Sequence, residues 1–284
     1  MIIDSHCHIF TERIVLNTTA KTSMVNNLRL NTSGASERLR PESLQESLER
    51  NGIEKCLLLP TASPGKVVNE NNRFIEISAR FSCLSTLATL HPMMRRLEDE
   101  IQRIFDFGIE GFKFSSFSQR FDLLSPESDA MLAEISKSAN SRNIRPKVVF
   151  DTFVGADMYF GARPDHLSTP SKLSRLVHRY QGIDFICAHM GGLLADFDEI
   201  REALCPLDNL YLDTSNAAHT LKEDQFIDLL KIHGASHILF GTDWPWFLHE
   251  KELVRIGSLL VNANFSESEQ ASVLGGNAKA LFGF

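Results

Sequence analysis

Near the start of the chain, Asp4-Ser5-His6-Cys7-His8 places two imidazoles two residues apart. In a strand, side chains alternate, so His6 and His8 project to one side and Cys7 to the other. Two imidazoles on one rigid element can share a single metal ion. Asp4 lies on the same face one layer deeper, where it is placed to orient an imidazole. Alone, His-x-His is a weak motif, and its weight comes from recurrence. Further apolar runs end in, or carry, ionisable groups: His91, Lys113, Asp151, His189 and Asp243. Such groups are costly to bury unpaired. Their gathering at the ends of apolar runs points to one shared site.

The elements that must position them read as strands: Ile2–His8, Cys56–Pro60, Leu84–His91, Gly111–Ser115, Val148–Asp151, Phe185–His189, Leu210–Asp213 and Ile238–Asp243. Amphipathic stretches separate them, among them Pro41–Asn51, Arg95–Phe107, Pro126–Arg142 behind a Ser125 cap, Pro170–Tyr180, Leu221–Ile232 and Glu250–Leu260. A last helix falls near Glu267–Phe282. This alternation predicts an α/β fold, a (β/α)8 TIM-like barrel built as a single domain over residues 1–284. Two stretches break the rhythm: residues 11–40 after the first strand, polar with few helix signals, and residues 152–169 after the fifth. Long loops on that side of a barrel shape access to its site.

Bulk properties narrow the class. With 43% hydrophobic and 23% charged residues, the composition is that of a globular protein rather than a disordered or fibrous one. A net charge of -7 without a long basic run disfavours a nucleic-acid partner. No apolar run approaches the ~18 residues needed to span a membrane, and the first residues lack the pattern of a secretion signal. The five cysteines are scattered without a C-x-x-C pair, which fits reduced thiols and a cytoplasmic location. The expected partner is a small-molecule substrate, and a homo-oligomer is compatible with everything above.

In order along the chain, Asp4–His8, Gly111-Phe112-Lys113, Ala188-His189-Met190-Gly191-Gly192, Tyr211–Ser215, Gly241–Pro245 and Gly276-Asn277-Ala278-Lys279 resemble the amidohydrolase superfamily. The likeness is to its amidohydrolase-2 branch, which holds metal-dependent hydrolases and non-oxidative decarboxylases, and it covers essentially the whole length. It implies a divalent metal bound by His6, His8 and Asp243, with His189 as an acid/base beside the metal or a further ligand. The fifth strand departs from the family: a histidine ligand is usual there, and this chain has Asp151 nearest the position. Zinc is the first expectation, and a carboxylate ligand shifts preference toward manganese or magnesium. Lys113 reads as a cation for a substrate carboxylate, with a carbamylated metal-bridging lysine or a structural ion pair as alternatives. Arg163 and His166 in the fifth-strand loop, and Trp244 after the eighth strand, are candidate substrate contacts.

The first expected chemistry is hydrolysis. A metal-activated water attacks the substrate, Asp243 takes its proton, and His189 stabilises the oxyanion. The rival is a lyase that decarboxylates or hydrates an unsaturated or aromatic carboxylic acid at the same centre. A barrel that binds a ligand without catalysis is the remaining alternative.

Overall fold

The computed structural model describes every residue, Met1–Phe284. Its strands are β1 (Ile3–Cys7), β2 (Lys55–Leu58), β3 (Leu84–Thr86), β4 (Ala88–Thr89), β5 (Gly111–Phe114), β6 (Lys147–Phe150), β7 (Asp184–Cys187), β8 (Leu210–Asp213) and β9 (Ile238–Leu239). The chain divides into two compact units, the first formed by Met1–Leu58, Ile77–Ser85 and Asp213–Phe284, the second by Leu59–Glu76 and Thr86–Leu212.

In the first unit, β1, β2 and β3 lie in that order, and β1 pairs parallel with β2. On its other side β1 exchanges hydrogen bonds with the segment that follows β9: Ser5 N–H donates to Phe240 C=O at 2.8 Å and Asp243 N–H to His6 C=O at 2.9 Å. Asp4 pairs with Cys56 and Cys7 with Leu58, so three steps along β1 oppose two along β2. This bulge re-aims the side chains on either side of it. The terminal helical run passes through a π turn at Ser272–Gly276. There Gly275 lets the backbones close: a Cβ at that position would lie 2.8 Å from the Met1 carbonyl oxygen.

The second unit holds the consecutive parallel strands β4 to β7 and β8 as far as Leu212. Its core is aromatic: Phe150 stacks on Phe185 at 6.0 Å between centroids and meets Phe114 at 5.7 Å. Strands buried on both faces read as unbroken apolar runs, as expected of parallel sheets. Lys113, between Phe112 and Phe114, breaks this pattern, and it is fully buried.

Three expectations change here. The run Leu84–His91 forms two short strands, β3 and β4, because its first part aligns beside β2 while Ala88 and Thr89 pair with β5. Residues 11–40 contain helices Glu12–Thr19 and Thr22–Asn27 and a 3-10 turn at Ala35–Leu39. Sparse apolar residues hold them, since Val15, Met24 and Ala35 are buried, and tertiary burial outweighs weak local propensity. The stretch 152–169 likewise contains a short helix, Ala156–Phe160. All five cysteines are free thiols, and no helix is long and apolar enough to cross a membrane.

His233, at the end of helix Glu223–His233, is buried with no hydrogen-bond partner on either ring nitrogen. Burial, helped by His237, pushes its pKa down to about 4 from 6.5. As pH falls below 6.5, the unfolded chain gains a proton that the folded one refuses until about 4. The folded state should therefore lose about 3 kcal/mol across that window. Urea midpoints at pH 7 and pH 4.5 should diverge less in His233→Leu than in the wild type.

Candidate metal centre

Three donors of the first unit converge. His6 Nε2 and His8 Nε2 are 3.0 Å apart, with the rings edge to face. Asp243 Oδ1 lies 3.5 Å from His8 Nε2 and 3.9 Å from His6 Nε2. All three residues are buried. Two imidazole nitrogens and a carboxylate oxygen converging on one point make a donor set for a divalent cation. Asp243 reaches this point from a left-handed backbone, φ +64°. The segment comes close because Gly241 has no side chain: a Cβ there would sit 2.7 Å from His6 Cβ.

Asp4 does not orient either imidazole, contrary to the expectation from strand alternation, because its oxygens are engaged elsewhere. Its carboxylate accepts from the His6 amide at 3.0 Å, the Thr242 amide at 3.1 Å and the Thr242 hydroxyl at 2.5 Å. A fourth contact joins it to His249 Nε2 at 3.1 Å, and His249 Nδ1 meets Ser47 Oγ at 2.8 Å. Burial alone would raise the Asp4 pKa; the bonds from His249, Thr242 and His6 bring it below the usual range. Asp4, Cys7 and His249 also bring possible metal-binding atoms within 4.8 Å of one another. Asp4's oxygens are already saturated with donors, and burial pushes the Cys7 thiol well up, so this trio is a hydrogen-bonded clamp.

Aromatic rings surround both groups. Phe10 stacks on His8 at 4.6 Å and Trp246 lies 5.7 Å from Phe10. Trp244 is buried, stacks on His249 at 4.9 Å and donates its indole N–H to the Arg38 carbonyl at 3.2 Å. Its surroundings are thus packing partners of the clamp. Asp213, at the tip of β8 and within the Tyr211–Ser215 motif, touches the centre directly: its Oδ2 is 2.8 Å from His6 Nδ1. The signal for it was the same as for the others, an ionisable residue at the tip of an apolar strand.

The second unit holds a separate charged cluster. Asp151 accepts from Ser115 Oγ at 2.9 Å and lies 3.5 Å from His189 Nε2. Burial opposes its charge, but Lys113, His189 and Ser115 together hold its carboxyl far below the ordinary range. The charge on Lys113 is thereby matched by a carboxylate. His189 and Met190 both take left-handed backbone, φ +57° and +51°. His6, His8 and Asp243 thus form one group, and Lys113, Asp151 and His189 another.

The remaining candidates are peripheral to these contacts. Arg163 is exposed and paired with Asp165 at 2.8 Å. The half-buried His166 has its pKa lowered by burial and by Arg163. His91 has both ring nitrogens engaged by backbone, the Gln119 carbonyl at 2.9 Å and the Met93 amide at 3.0 Å, so it caps its strand.

The Amidohydrolase family model matches residues 3–284. No curated protein matches the chain. Among solved structures, a TIM-barrel protein from Bordetella bronchiseptica is similar with a TM-score of 0.73 and 15% identity, over 99% of this chain and 98% of that one. A dihydroxybenzoic acid decarboxylase from Polaromonas sp. JS666, with bound manganese and 2-nitroresorcinol, gives 0.69 and 18%, over 99% and 96%. A probable 2-pyrone-4,6-dicarboxylic acid hydrolase from Acinetobacter baumannii gives 0.64 and 15%, over 100% and 99%. The fold class is therefore the α/β TIM-like barrel that the alternation of elements anticipates.

Removing His249 would leave the buried Asp4 charge short of a partner and Ser47 without its bond. His249→Ala should cost about 3 kcal/mol of stability. The urea midpoint, with far-UV circular dichroism to check the fold, measures it; an unchanged midpoint would show that the clamp carries no load.

Proposed function

We propose that this chain, which belongs to the amidohydrolase family, is a divalent-metal-dependent lyase that decarboxylates a small carboxylic acid without an oxidant. This reverses the order expected from sequence, where hydrolysis came first. The observation that carries it is the Asp151–His189 pair beside the buried Lys113. A strongly acidic Asp151 stays ionised and steadies a protonated His189 rather than competing for its proton. Non-oxidative decarboxylation needs such a donor. The bond from the carboxylate to its carbon breaks, its electron pair stays on that carbon, carbon dioxide leaves, and a proton takes its place.

In this reading His6, His8 and Asp243 hold the ion. When bound, a divalent cation would neutralise and orient the substrate's carboxylate and a neighbouring oxygen. His189 supplies the proton and Asp151 keeps it oriented; Asp151 is thus assigned to proton handling rather than to the metal. Lys113 acts on the Asp151 carboxylate through its charge and is assigned to that pairing rather than to a carbamylated metal bridge. Arg163, His166 and Trp244 are left without a role in the chemistry. Support for a lyase over a hydrolase comes from similar structures that are decarboxylases of aromatic acids. Support for manganese ahead of zinc comes from the manganese in one of them and from a carboxylate in the donor set. The hydrolase-like structure keeps metal-assisted hydrolysis as the second reading.

The deciding experiment supplies manganese and a panel of hydroxylated aromatic carboxylic acids, and follows both carbon dioxide release and incorporation of oxygen-18 from water. The expected result is carbon dioxide release with no label in the organic product. Labelled product without carbon dioxide would move the assignment to hydrolysis. A protein with neither activity nor bound metal would favour a ligand-binding barrel. His8→Ala and Asp243→Asn should each abolish turnover and lower metal content. His189→Asn should slow turnover about 100-fold or more with metal content intact.

A further inference from the structure

His6 is gripped from behind by two groups that both accept. Its Nδ1 lies 2.8 Å from Asp213 Oδ2 and 3.1 Å from Ser215 Oγ. The Ser215 hydroxyl gives its one proton to Asp213 Oδ1, and the Ser215 amide donates to the same oxygen at 3.1 Å. Ser215 Oγ therefore has only lone pairs to offer His6, and a carboxylate has nothing else. With acceptors on both sides, Nδ1 must carry the hydrogen. Nε2 is then left with its lone pair, directed to where His8 Nε2 lies 3.0 Å away and Asp243 Oδ1 3.9 Å away. Asp213, Ser215 and His6 are all buried, so water does not compete for these bonds.

We propose that Asp213 is a positioning residue: it selects the Nδ1–H form of His6 and so presents Nε2 as the metal-binding atom. The proposal rests on the reading of His6 and His8 as ligands. It adds a residue from β8 to a centre whose donors come from β1 and from the turn after β9. A carboxylate behind a ligating imidazole fixes the ring and raises its basicity, and losing such a partner typically lowers metal affinity 10–100-fold.

Two measurements on the whole protein test this. Long-range nitrogen-15 correlations of the histidine side chains in metal-free protein, with His6 identified by its loss in His6→Gln, should show His6 protonated at Nδ1. A wild-type His6 protonated at Nε2 overturns the proposal, whether or not any variant folds. Calorimetric titration with manganese should then show Asp213→Asn binding 10–100-fold more weakly than wild type, with unchanged far-UV circular dichroism. The new amide can donate to Nδ1 and favour the wrong tautomer, whereas a merely structural Asp213 would alter stability and leave affinity alone. Equal affinities overturn this proposal and leave the function above intact. A wild-type chain that binds no divalent ion overturns both. Ser215→Ala keeps the carboxylate and should keep the Nδ1–H form; its loss there would assign the selection to Ser215 instead.

Discussion

The carboxylate of Asp4 has no exposure, and it joins β1 to two neighbouring segments more than 230 residues further along the chain. It holds β1 through the His6 amide, the turn after β9 through Thr242, and helix His249–Asn262 through His249. An unpaired charge in that position would cost several kcal/mol, so each donor must stay in place for the charge to be tolerated. The segments so constrained are the ones that deliver His6 and Asp243. The spacing of the donor atoms is thus governed by a group that binds none of their side chains. Stacking of Trp244 on His249 and the close approach allowed by Gly241 tighten the same junction.

The second unit meets the same problem with different partners. Asp151 is made tolerable by Lys113, His189 and Ser115, each arriving from β5, β7 or their ends. In both units, residues at the strand tips adopt left-handed backbone: Asp243 in one, His189 and Met190 in the other. Non-glycine residues pay for that conformation, and it survives where surrounding contacts over-determine it. Here those contacts include the hydrogen bond from the Asp243 amide to the His6 carbonyl and the dense packing beneath Met190. Strain and buried charge therefore occur together at the positions to which chemistry is assigned.

Much of this was legible in the residues. Alternation of apolar runs with amphipathic stretches marked the strands and most helices to within a few residues, because both periods follow from backbone geometry. Pro126 behind a Ser125 cap and Pro170 behind Thr169 start their helices where the local chemistry says they should. His6, His8 and Asp243 stood out as ionisable tips. Less legible were the register shift in β1 and the partners of Asp4, since Thr242 and His249 lie at the far end of the chain. Nor did the polar stretch 11–40 announce its helices, since its few buried side chains, Val15, Met24 and Ala35 among them, found their partners only after folding.

The sequence alone determined the fold class, the family and the identities of the ionisable residues at the strand tips, since these depend on local periodicity and on ordered short motifs. Only the tertiary structure decided which of those residues meet. It joined Asp213 to His6 across 207 positions, gave Asp4 to Thr242 and His249, and set Asp151 with Lys113 and His189. The reason is physical: a buried charge is satisfied by whatever donors the packed strands bring within about 3 Å, and sequence separation carries no information about that distance.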